Sequence, residues 1–257
     1  MLPRARRVVR LSALAAGTLI AGTALTGCGS ADARDAKPEE KTFSISGREL
    51  VVDSDDSEVE LVPGRGEGKD VKVTRWFDYW TVGGSASASW EMDGNTLKLR
   101  LHCGGISVEC DAKHRIEVPR GVTVTVKDDN GAVKARGFET PLKITSDNGA
   151  IDVRDSNGTL DLRTSNGEIT AKGIGAKKVT AGSSNGAIHL ETNAVPDLVE
   201  TDTDNGATTV VVPRSSYKVD TDSGNGGIHV RVPRDDASGH TIKARSANGA
   251  IDIRTAG

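Results

Sequence analysis

Acids, histidines and cysteines are the side chains through which this chain could do chemistry, and their spacing tests several kinds of site. Asp152, Asp161, Asp202 and Asp252 recur on strand-like segments interleaved with Lys and Arg. On a β-helical scaffold such acids could cleave glycans, with calcium and a basic residue on the same face. That chemistry needs a cleft that encloses substrate and excludes water. The turns here are minimal on one side and modest on the other, and the acids are scattered as on a solvated face. Lys134, Asp152, Thr170, His189, Thr209, His229 and Asp252 occupy one outward place in successive repeats. His189 and His229 are then two steps apart, about 10 Å at about 4.8 Å per step, too far to share a metal. Asp128, Asp129, Asp147 and Asp204 stand beside Asn-Gly turns, where carboxylates could ligate calcium. The calcium repeat G-G-x-G-x-D is missing, and Asp gives way to Ser, Gly or Ala in other repeats, so turn stabilisation explains them more simply. No Ser-His-Asp set, P-loop or dinucleotide fingerprint is present. We therefore assign no catalytic residue, no cofactor and no metal, and expect a non-enzyme.

The cysteines separate by context. Cys103 and Cys110 flank Gly104-Gly105 with six residues between them. In an exported chain such a pair reads as one disulfide. The alternative is half of a metal site completed by His102 and His114, but no second cysteine pair exists to support it. Cys28 follows a different pattern. Arg4, Arg6, Arg7 and Arg10 precede an apolar and small-residue run, Leu11 to Leu25, and then Leu25-Thr26-Gly27-Cys28. The order is that of a secretory signal, and the run is shorter than the ~20 residues of a membrane span. A simple signal peptide with an incidental cysteine remains the plainer alternative. The tetrapeptide resembles the lipobox of bacterial lipoproteins, which implies cleavage before Cys28 and lipidation of its thiol. Several acyl chains on one residue would anchor the protein stably. Arg6-Arg7 also resembles a twin-arginine signal, and Sec export is an equal reading.

Loss of residues 1–27 would move the formal charge from −3 to −7, the wrong sign for nucleic-acid binding. Residues 28–41 are small and polar and read as the lipidated Cys followed by a flexible tether.

The elements that must position these residues are repeats. Asn-Gly pairs begin at Asn130, Asn148, Asn166, Asn185, Asn205, Asn225 and Asn248, at spacings of 18, 18, 19, 20, 20 and 23. An alternating strand follows most of them, such as Ala-Ile-Asp-Val at 150–153 and Ala-Ile-His-Leu at 187–190. A second strand lies midway. We expect an all-β, single-domain parallel β-solenoid of two sheets, about 18–20 residues per coil, over 122–257. The left-handed hexapeptide helix is excluded because Ile151, Leu160 and Ile169 are nine apart. An antiparallel meander stays open, since Asn-Gly is a strong hairpin signal. Stacked Asn side chains that satisfy each other along the axis favour the solenoid.

Residues 42–121 are strand-like without the repeat, with a hairpin at Asp93-Gly94, and read as an irregular β cap holding the disulfide. Val118-Pro119-Arg120 recurs at 212–214 and 232–234 and ties this region to the array. Trp76, Phe77, Tyr79, Trp80 and Trp90 make up five of the eight aromatic residues. They are either the core of the cap or an exposed platform in which Trp76, Tyr79, Trp80 and Trp90 stack on sugar or protein.

Val-Pro-x-Gly-Val at 118–122 and the Asn-Gly-Ala/Glu-Ile repeats resemble the bacterial β-strand-repeat lipoproteins called putative adhesins, over roughly residues 41–257. That family is a domain of unknown function. The resemblance implies surface exposure and attachment, with no catalytic residues. The expected protein is a lipid-anchored, extracytoplasmic binding or structural module that meets cell-wall glycan or an envelope protein. A glycan-cleaving enzyme and an envelope-stress accessory acting on a membrane partner are the alternatives.

Overall fold

The computed structural model describes residues 32–33, 36–66 and 68–257. Cys28 and the 1–27 segment lie outside them. Among the described residues there is no α-helix, and sixteen strands stack as eight two-stranded coils.

One sheet holds β2 (Glu49–Ser54), β6 (Thr123–Asp128), β8 (Leu142–Ser146), β10 (Leu160–Thr164), β12 (Lys178–Asn185), β14 (Leu198–Asn205), β18 (Thr241–Asn248) and β16 (Lys218–Ser223). The other holds β3 (Glu58–Pro63), β7 (Val133–Arg136), β9 (Ile151–Arg154), β11 (Ile169–Ile174), β13 (Ile188–Thr192), β15 (Thr208–Val212), β19 (Ile251–Thr255) and β17 (Ile228–Arg231). Every neighbour pair in both sheets is parallel, so the solenoid reading holds and the meander does not. The alternation in sequence becomes alternation in burial. Leu142 and Ile144 of β8, Leu160 and Leu162 of β10, and Ile151 and Val153 of β9 form the dry interior between the sheets. Isolated coils could not bury this stripe, and stacking supplies the missing contacts.

The Asn-Gly pairs act differently from hairpin turns. Their glycines do not adopt a left-handed φ. A Cβ on Gly149 would stand 1.8 Å from the Gly131 carbonyl oxygen, and one on Gly167 would stand 2.1 Å from that of Gly149. The glycine is needed because one backbone lies directly on the next. Beside it, each Asn Nδ2 donates to the Oδ1 of the coil before: Asn148 to Asn130 at 2.8 Å, Asn166 to Asn148 at 2.9 Å and Asn185 to Asn166 at 2.9 Å.

The ladder then departs from chain order. Asn205 donates to Asn185 at 3.0 Å, but Asn248 follows, donating to Asn205 at 3.1 Å, and Asn225 comes last, donating to Asn248 at 2.9 Å. The strands β18 and β19 thus lie between the β14/β15 coil and the β16/β17 coil. Burial follows the exchange. Ile242, Ala244, Ile251 and Ile253 are fully buried, whereas Ile228 is exposed and Val219 and Val230 are only partly buried. The more polar pair takes the open edge, where Lys218, Asp220 and Asp222 oppose further strand addition. The long connection at 232–240 is the return path, with Tyr217 buried beneath it and its hydroxyl donating to the Pro213 carbonyl at 2.7 Å.

At the other end, β1 (Glu39–Ser44) pairs antiparallel with β4 (Asp70–Asp93), and β4 with β5 (Thr96–Val118). The β4–β5 hairpin turns at Gly94-Asn95, as Asp93-Gly94 led us to expect. The start of β5 extends one sheet beside β2, and its end extends the other beside β3. Two boundaries shift from the sequence reading. Pairing begins at Glu39, inside the segment read as tether, and the first coil, β2 and β3, lies inside the region read as irregular cap.

Candidate functional site

The outward faces of the coils are ion-paired. One open depression is lined by Glu60, Arg115, Lys134, Asp152 and Arg154, and another, on the other sheet, by Arg163, Asp202 and Asp204. Asp152 and Asp252 lie on the β3-side sheet, Asp161 and Asp202 on the β2-side sheet, so the four acids do not converge. Asp152 accepts from Arg154 at 2.9 Å, Asp252 from Arg231 at 2.6 Å, and Asp161 lies 3.2 Å from Arg163. The exchanged coils also correct the histidine spacing. The outward row runs Lys134, Asp152, Thr170, His189, Thr209, Asp252, His229, so His189 and His229 are three steps apart, not two. Among the described residues, no three His, Cys, Asp or Glu side chains are grouped to hold a metal ion.

Two titratable groups are buried. From the β10 coil onward, the position two before each Asn-Gly pair carries a hydroxyl that bonds the glycine carbonyl of the neighbouring coil. Thr164 donates to Gly149 at 3.0 Å and Ser183 to Gly167 at 3.0 Å. In the second coil that position is Asp128, which accepts from Ser146 at 3.3 Å. Burial pushes its carboxyl up to about 7, with hydrogen bonds from Ser54, Ser146 and the Gly131 backbone opposing. In the cap, His114 is fully buried beside Trp90, and neither ring nitrogen has a partner. Burial, then the Arg75 charge, push it down to about 3. Sequence reasoning set Asp128 among possible turn ligands and His114 among possible metal ligands. The structure places one in the hydroxyl row and the other in the core.

The four residues of the aromatic platform separate. Trp90 packs against the core, edge-on to Phe43 at 6.4 Å, with the Arg75 guanidinium 4.4 Å from its ring centre. It belongs to the cap core and not to a platform. Trp76 is half-buried, with the Lys113 ammonium 5.9 Å from its ring. Tyr79 and Trp80 are 51% and 45% exposed, and Tyr79 stacks on Phe77 at 5.4 Å.

Tyr79 and Trp80 sit on a ribbon that leaves the stack. Cys103 and Cys110 are joined by a disulfide with Cα atoms 6.4 Å apart. Seven extended residues would span about 23 Å, so the strand between them is doubled over. Its partner folds with it, because Ala86 pairs with Cys103 and Tyr79 with Cys110. The fold falls where Gly84 faces Gly105, with φ of +69° at Gly83 and +144° at Gly105. Val82 and Ile106 form the tip, and Ile106 is 92% exposed. The sequence contained a signal for this: two Gly-Gly pairs lie almost equidistant from the Gly94-Asn95 turn.

Residues 91–256, from the second half of the hairpin through the last strand, match the Toastrack DUF4097 family. The chain is a member of that family. Its resemblance to the adhesin-like repeat proteins extends to solved structures. A Bacteroides fragilis NCTC 9343 protein described as a putative adhesin is 14% identical, with 86% of this chain and 97% of that one aligned at a TM-score of 0.51. A Parabacteroides distasonis ATCC 8503 protein, described in the same way, is 12% identical over 85% of this chain and 98% of its own, at a TM-score of 0.43. The first likeness shows that this chain and the Bacteroides fragilis protein share a fold. No curated protein matches the chain.

Proposed function

We propose that this Toastrack DUF4097 protein is a non-catalytic binding module of the cell surface. In this reading lipid on Cys28 holds it at the extracytoplasmic face of the membrane, and its flat sheet faces attach to cell-wall glycan or an envelope protein. The observation that carries the reading is the distribution of the acids. Asp152 and Asp252 point away from one sheet, Asp161 and Asp202 from the other, and three of the four are paired with Arg. Within a sheet the two are separated by at least two steps, about 10 Å or more, beyond the span over which paired carboxylates cleave a glycoside. The lipobox-like Leu25-Thr26-Gly27-Cys28 supports the anchor. The adhesin description of the Bacteroides fragilis protein supports attachment.

The test uses the protein made with its own leader, incubated with purified cell-wall fractions and a panel of acidic and neutral glycans. Bound protein and released sugar are read from the same tubes. Binding without release is expected. Release of sugar overturns the non-catalytic reading, and neither signal moves the attachment partner from glycan to an envelope protein.

A further inference from the structure

The folded ribbon has a composition unlike the rest of the molecule. Residues 79–89 and 101–108 contain no Asp, Glu, Lys, Arg, Asn or Gln, in a chain that is 27% charged. Their exposed large apolar side chains, among the described residues, are Tyr79, Trp80, Val82 and Ile106, set among Gly, Ala, Ser and the exposed His102. A sugar-binding platform needs several fixed polar groups converging on its aromatic rings, and beyond the neck the only acidic or basic side chains are Glu109, paired across from Trp80, and His102. Trp and Tyr beside exposed aliphatic residues suit the membrane–water interface, where an amphipathic ring has one end in apolar and one in wet surroundings.

The neck of the ribbon supplies the second observation. Asp78 and Asp111 face each other across the strands, immediately before Tyr79 and after Cys110. The Asp32 backbone N–H donates to Asp78 Oδ2 at 3.1 Å, and that of Ala33 donates to Asp111 Oδ2 at 2.9 Å. Ala33 is buried there. The chain is therefore pinned to the ribbon four residues after Cys28, and four residues reach at most about 14 Å. From Asp78 to the tip at Val82 is the same number of residues. Whatever surface holds Cys28 lies within reach of the tip.

We propose that the tip of this ribbon, carrying Tyr79, Trp80, Val82 and Ile106, rests in the headgroup interface of the bilayer that holds Cys28, so that the protein is attached at two points. The inference rests on the lipid-anchor reading above. Tethering makes the second contact intramolecular, so a small apolar tip suffices where it would bind weakly alone. The scarcity of charge matters because the mature chain is at −7, and beyond Glu109 the tip adds nothing to its repulsion by anionic lipid. The disulfide keeps the ribbon doubled and the tip narrow.

The test uses the protein expressed with its own leader, purified with its lipid and incorporated into phosphatidylcholine/phosphatidylglycerol vesicles. A matched set has brominated acyl chains. Brominated lipid should remove about one third of the wild-type tryptophan emission, the share of one of three tryptophans, and far less from Trp80→Ala. Trp80 is exposed, so an unchanged unfolding midpoint should confirm that the variant folds. Independently of the variant, iodide should quench wild-type emission less in vesicles than in detergent-free buffer after the lipid is cleaved off. Intact mass separates the two readings. A Cys28 without diacylglycerol defeats the anchor. A lipidated protein whose emission is quenched equally in wild type and Trp80→Ala, or not at all, overturns the ribbon contact alone.

Discussion

In the coils, Gly149 and Gly167 sit where a methyl group would meet the backbone of the coil beneath. In the ribbon, Gly83 has open space around it and a φ of +69°. The same residue type serves stacking in one region and bending in the other. The regions differ likewise in polar chemistry. The coils pair their side chains into rows, hydroxyl on glycine carbonyl and amide on amide, so that each coil completes the last. The ribbon is held by backbone pairing, one disulfide and the Phe77–Tyr79 stack, and leaves Trp80, Val82 and Ile106 exposed. A regular array tolerates little change at its seams, whereas a protrusion tolerates change everywhere except at its bend and neck.

The largest expected effect follows from the seams. Gly149→Val should cost about 3 kcal/mol or more, since the clash is with backbone that cannot turn aside. Urea denaturation would read it, and a loss under about 1 kcal/mol would mean the coils are not stacked in this register.

Opposite pH responses in the coils and the cap sharpen the comparison further. The Asp128 carboxyl, raised from 3.8 to about 7, favours folding below its unfolded value and loses that contribution as pH rises from about 4 to about 7. His114, lowered from 6.5 to about 3, contributes above about 6.5 and loses its share as pH falls toward about 3. Asp128→Ser, which restores the hydroxyl of the other coils, should therefore gain most over wild type at pH 8. His114→Leu should gain most near pH 4. Denaturation series at these values would show it, and a parallel offset at both would reject the assignment.

A middle rung comes next. Asn166→Ala removes one donor and one acceptor from the ladder and should cost about 1–2 kcal/mol. A thermal melt of the variant against wild type measures it. The smallest effect belongs to the bend: Gly83→Ala meets no neighbour and should cost about 1 kcal/mol of backbone strain, seen as faster proteolysis of the ribbon with little change in global midpoint.

Most of the array was legible because it repeats. Ile151, Ile169 and Ile251 occupy equivalent places after Asn-Gly, and period-two alternation assigns them inward without knowledge of their neighbours. Adjacency was harder to read. The order of coils follows from comparing how apolar each pair is, and Ile228-His229-Val230 looks as apolar in sequence as Ile251-Asp252-Ile253. The long 232–240 connection was the one trace of the exchange. In the cap, Trp76, Tyr79, Trp80 and Trp90 share a composition but not a fate. Burial there depends on where a long hairpin departs from the stack, a property of β5 spanning both sheets that no local pattern encodes.

The exchanged coils also set an order of assembly. The segment Lys218–Arg231 docks only on Thr241–Thr255, which is synthesised after it. A chain emerging from its N-terminus can therefore add coils one by one as far as Val212, and must then hold a finished segment in waiting. Its seat appears when the following strands have slid in beneath it. The last step is thus a closure: the open edge is covered by its charged strand once the residues beyond that strand have arrived, and a chain interrupted between the two would leave β14 and β15 uncovered and ready to pair with a stranger.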